Sequence, residues 1–115
     1  MRVLVLYPRQ GSPFDRNWDA DRKPTREDVA RHFVQVHEDT VSDDLPPHHV
    51  GNLFFELMNV WYLDREQTRQ TVSGFAQRGE TSHTSMSVGD LIVFDNIETG
   101  RILFVDRLGF AEVNA

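Results

Sequence analysis

Four side chains within eight positions carry the groups of acyl-transfer chemistry: His83, Ser85, Ser87 and Asp90. A serine hydroxyl becomes a nucleophile when an imidazole takes its proton and a carboxylate orients that imidazole. In this chain His83 would be the base, Ser85 or Ser87 the nucleophile, and Asp90, or Asp106 further on, the orienting acid. The neighbouring residues argue for a quieter role. No Gly-x-Ser-x-Gly elbow is present. Serines just ahead of a Gly-Asp turn more often cap backbone N–H groups than attack carbonyls. Read as a polar contact surface instead, His83, Ser85, Ser87 and Asp90 join Arg101, Asp106 and Arg107 as the candidate binding residues.

Five histidines, at 32, 37, 48, 49 and 83, raise the question of a metal. Their spacing answers against it. His32 and His37 are five apart and would point to opposite faces of a strand. His48 and His49 are adjacent and would diverge by about 100° on a helix. No HxxxH or HExxH pair occurs, and there is no cysteine, so neither a metal centre nor a thiol nucleophile is expected. Gly100 and Gly109 stand alone and build no phosphate-cradling loop, which leaves a nucleotide cofactor without support. No cofactor is expected. Gly109 reads as the relief of a bulge between Leu108 and Phe110.

At 115 residues and 39% hydrophobic content, the chain suits one domain with one core. The formal charge of −6 is spread evenly, with 10 acids against 7 bases up to residue 57 and 8 against 5 beyond it. Such a surface lacks the basic stripe of a general nucleic-acid binder. The opening run Arg2 to Tyr7 is too short for a signal peptide, and no stretch approaches the roughly 20 apolar residues needed to cross a bilayer. A cytoplasmic protein without membrane contact is the expectation.

The elements that must position these residues are legible from periodicity. Arg2 to Tyr7 is a β-run ended by Pro8, apolar on both sides (Val3, Val5, Tyr7 against Leu4, Leu6), as an interior strand requires. Gln10 to Pro24 is a loop, with Phe14 and Trp18 as its anchors. Thr25-Arg26-Glu27-Asp28 is a capping box opening a short helix. Phe33 to His37 then reads as a strand, and Glu38 to His49 as a loop whose Pro46-Pro47 can start a helix. Val50, Leu53, Phe54, Leu57, Met58 and Trp61 form one helical stripe over 50–62. Asp64 caps a second helix over 65–78, with Gln67 at the box position, Val72, Phe75 and Ala76 inward, and Gly79 as its stop. A hairpin follows: the Gly89-Asp90 turn, the run Leu91 to Phe94, a loop ending in Gly100, and the run from Arg101 to Phe110.

The line Thr84-Ser85-Met86-Ser87-Val88-Gly89-Asp90-Leu91-Ile92, a loop, then Phe104-Val105-Asp106-Arg107-Leu108-Gly109-Phe110 and Val113 resembles the YodL-like domain. That small domain recurs in plasmid, phage and other mobile-element proteins. Two features depart from its pattern: the long segment from Leu63 to Ser82, and Gly89 where a serine is commoner. The resemblance implies no catalytic mechanism. It implies an accessory or anti-defence protein that acts by binding.

The expected architecture is therefore an α+β domain of about four mainly antiparallel strands and two to three helices, with the pair at 50–62 and 65–78 on one face. The expected function is a non-enzymatic protein-binding module acting on a host protein. A small nucleic-acid-associated domain is the alternative, and a hydrolase built on residues 83–90 comes third. Because both hairpin strands are apolar on both sides, the sheet face away from the helix pair is expected to be closed by a homodimer or a partner protein.

Overall fold

The computed structural model describes residues 1–60 and 65–114. Five strands and three helices follow in the order β1 (Arg2–Pro8), α1 (Arg26–His32), β2 (Phe33–Thr40), α2 (Pro47–Asn59), α3 (Glu66–Gln77), β3 (Leu91–Phe94), β4 (Ile102–Asp106) and β5 (Gly109–Glu112). All strand pairings are antiparallel, in the order β2-β1-β3-β4-β5. The first strand is interior, as its two apolar sides demand. The fold is α+β, with five strands where about four were expected. The extra one arises because the run from Arg101 to Phe110 is not a single strand. It turns at Arg107 and Leu108, and Gly109, at φ +134°, enters β5 rather than relieving a bulge.

Local chemistry explains the element starts. The Thr25 hydroxyl accepts from the Asp28 N–H at 3.2 Å while the Asp28 carboxylate accepts from the Thr25 N–H at 2.9 Å, closing the capping box of α1. That backbone bond is the first cause of an Asp28 carboxyl held below its usual range. Pro47 sits in the first turn of α2, where its missing N–H costs nothing. α3 ends in a Schellman turn at Gly79 (φ +75°): the Glu80 N–H reaches the Phe75 carbonyl at 2.9 Å and the Gly79 N–H reaches Ala76 at 3.0 Å. The N-cap position of α3 is Arg65, whose side chain makes no capping bond. The expected cap at Asp64 and the Trp61 end of the helical stripe lie outside the described residues.

Two cores lie on the two faces of the sheet. Val3, Val5, Tyr7, Ile92, Phe94, Leu103 and Val105 pack under α2 and α3 against Val50, Phe54, Leu57, Met58 and Val72. Leu4, Leu6, Leu91, Val93, Ile102 and Phe104 form the second core. The expectation that a partner closes this second face is corrected, because the chain closes it itself. Phe14 and Ala20 of the loop, Val29 of α1, Phe33 and Val113 cover it, and the sheet residues beneath are buried. The expected loop anchor Trp18 and the stripe residue Leu53 of α2 are half exposed instead, at 46% and 42%. Gly51 takes the inward place on α2, because the Phe110 ring of β5 lies where a Cβ would stand, 2.9 Å away.

Candidate functional site

The segment from Glu80 to Asp90 is stitched to one end of the sheet by backbone. The Glu80 carbonyl accepts from Gln10, Thr81 bridges Arg9, and the Tyr7 hydroxyl donates to the Thr84 carbonyl at 2.9 Å. Its last four residues make a turn in which the Asp90 N–H donates to the Ser87 carbonyl at 3.1 Å and Gly89 holds φ +97° at the third position. A positive φ there is the requirement of a type II turn. Gly89 and Asp90 then exchange backbone bonds with Val105, which sets the turn beside the end of β4.

Asp90 is completely buried. Its carboxylate accepts from the Ser87 N–H at 2.7 Å, and both of its oxygens stand 2.9 Å from His83 Nε2. Burial pushes the Asp90 carboxyl up to about 6, against the lowering effect of the His83 and Ser87 bonds. The His83 ring stacks on Tyr7 with centroids 4.5 Å apart and meets Trp18 edge-on at 5.5 Å. His83 and Asp90 are therefore one unit, as the sequence reading required of a base and its orienting acid.

The serines do not complete it. Ser85 is exposed, and the Ser87 Oγ is buried with no hydrogen-bond partner. The ring atom left over, His83 Nδ1, is buried and makes no hydrogen bond either. Acyl transfer needs a nucleophile hydrogen-bonded to its base. Among the described residues no hydroxyl is so placed, and the pair instead fixes the strand entry at Asp90 to the loop at His83. Nor do the described residues contain a group of three or more His, Asp or Glu able to hold a metal ion.

The other candidates divide between the two ends of β4. Arg101 lies at the far end, ion-paired with Glu112 of β5. Asp106 and Arg107 lie at the near end, beside the Ser87–Asp90 turn. Asp106 binds Lys23 Nζ at 2.7 Å and accepts from the Arg107 N–H at 2.7 Å, and these bonds, the lysine's first, hold its carboxyl below the usual range. The same Lys23 lies 4.4 Å over the Phe104 ring. Beyond Asp106 the turn carries Arg107, exposed, and Leu108, fully exposed.

The chain matches no family model, no curated protein and no solved structure.

Residues that the sequence reading did not select complete the surface. A cleft of about 520 Å³ is lined by Asp106 to Phe110, and a second of about 220 Å³ adds Asn52 and Phe55 of α2. Phe110 lies against Gly51 and edge-on to His48 at 6.0 Å, so the hairpin leans on the first turns of α2. Phe55 is a member of no core cluster, and only its exposure identifies it.

Proposed function

We propose that this chain is a non-enzymatic protein-binding module whose contact surface is the β4–β5 hairpin with the adjoining side of α2. The observation that carries the reading is Leu108, a large apolar side chain with its whole surface in water. It stands at a hairpin tip and lines one cleft, while the adjoining cleft carries the half-exposed Phe55 and the exposed Arg107. Single exposed apolar residues are ordinary on soluble proteins, but a projecting leucine flanked by an aromatic and an arginine has the composition of an interface anchor. The two sheet faces argue by contrast, since both are covered from within. The resemblance to the YodL-like domain supports an accessory protein of a phage or plasmid, acting on a host protein.

The test is capture of partners from a lysate of the cells that carry the gene, using wild type, Leu108→Glu and Phe55→Glu as baits. A partner identified this way is purified and its affinity measured by calorimetry. The expected result is a loss of about tenfold or more in affinity for each variant, the size of a single interface anchor. Equal binding by wild type and Leu108→Glu would remove the hairpin from the contact surface.

A further inference from the structure

We propose that the partner of the β4–β5 hairpin is an acidic protein segment, which seats an apolar side chain in the cleft between the hairpin and α2 and brings a carboxylate to Arg107. The inference rests on the binding reading above and adds the chemistry of the partner. The cleft holds about 220 Å³, and Phe55, Val105 and Phe110 give it an apolar lining beside the polar Asn52 and Arg107. Pockets for small molecules run to roughly 300–1,000 Å³, so this one is the size for a single side chain presented by a larger partner.

Charge specifies what accompanies that side chain. Residues of a strand alternate between its two faces. Leu103 and Val105 of β4 face α2, and Arg107 is next in that series. Phe104 faces the other way and Asp106 follows it, and there Lys23 lies over the Phe104 ring and binds the Asp106 carboxylate at 2.7 Å. Asp106 is thus satisfied on the far face, and the Arg107 guanidinium exerts the weakest of the attractions on it. Arg107 donates its backbone N–H to Asp106, but among the described residues its side chain makes no ion pair or hydrogen bond. The helix brings no acid to the cleft either. His48, edge-on to Phe110, and Asn52 stand on that side of α2, the first turn has no acid, and Glu56 lines a different groove with Leu53 and Leu57. The complement of an apolar cleft with one cation is an apolar side chain with a neighbouring anion. A nucleic-acid backbone or an anionic bilayer brings many charges at once, which one arginine on a chain of net charge −6 does not match.

The probe is a phage-displayed library of random twelve-residue peptides panned on the intact chain, with the enriched peptide then made with a fluorescent label. The expected peptides carry Asp or Glu close to a large apolar residue. Their binding should weaken by about tenfold or more in Arg107→Glu, which reverses the charge, and in Asn52→Trp, which fills the cleft, while Arg107→Lys keeps most of it. Both positions are exposed, and thermal melts of each variant confirm the fold. Panning on Arg107→Glu should enrich basic peptides instead. A library without enrichment, enriched peptides without an acid, or Arg107-dependent binding to phosphatidylserine vesicles in place of the peptide would each overturn the proposal. A peptide lost in Phe55→Glu but indifferent to Arg107→Glu would overturn the acidic partner and leave the hairpin surface standing, whereas the hairpin surface itself fails only through equal capture of the lysate partner by Leu108→Glu.

Discussion

Asp90→Asn isolates the cost of holding a carboxyl in the core. The folded protein raises this group from 3.8 to about 6, with burial as the leading cause. At 1.36 kcal/mol per unit, the difference corresponds to about 3 kcal/mol. The sign follows from linkage: the folded state binds the proton more tightly than the unfolded chain does. The stabilisation is therefore fully present below pH 3.8 and is lost as the pH rises through about 6. Asparagine has the same shape, cannot ionise, and keeps an oxygen for the Ser87 N–H. Guanidinium unfolding of both proteins from pH 4 to 7 gives the wild-type stability minus that of the variant, in which titrations of groups that do not touch Asp90 cancel. That difference should fall by about 2 kcal/mol across the range, the remainder of the 3 kcal/mol having been lost below pH 4. A flat difference would mean that the carboxyl titrates in its ordinary range. A rise with pH would mean that attraction to His83 outweighs burial, and either outcome refutes the reasoning.

Four further expectations concern backbone and metal. Gly100→Ala should destabilise by about 2–3 kcal/mol in denaturant titration, because its Cβ would lie 1.8 Å from the Phe94 carbonyl. Gly89→Val should lose about 1–3 kcal/mol, since the position holds φ +97° against the Asn17 backbone. Thr25→Ala should lose about 1 kcal/mol with the capping box, seen as a lowered melting temperature. EDTA should leave the melting temperature unchanged, and a fall of several degrees restored by zinc would reveal a metal bound only to the folded state.

Elements that depend on a residue's near neighbours were legible in the sequence. The alternation of β1 and of the hairpin strands assigns every one of their core side chains to the correct face. The Thr25 box, the Pro46-Pro47 start of α2 and the Gly79 stop of α3 rest on backbone groups a few positions away. β5 was hidden because its turn, Arg107-Leu108, carries no Asn-Gly signal and sits inside a run of apolar residues. The cover of the second face was underestimated because Ala20 and Val113 belong to no periodic pattern. Trp18 and Leu53 face solvent for reasons of three-dimensional packing that local patterning does not encode. For the site, the His83–Asp90 pairing was available from residue types. That Nε2 makes the bond, and that no serine follows, depends on a ring orientation set by Tyr7 and Trp18.

The central place of β1 has a consequence during synthesis. One rim of this strand can pair as soon as residues 33–40 emerge, but its other rim belongs to residues 91–94. At about 5–20 residues per second, the second partner reaches the growing chain several seconds after the first. Through that interval the uncharged stretch Val3-Leu4-Val5-Leu6-Tyr7 presents an open strand edge, the template on which other chains pair. Nascent chains stalled before residue 91 should therefore associate or recruit chaperones, while those that have released β4 should not.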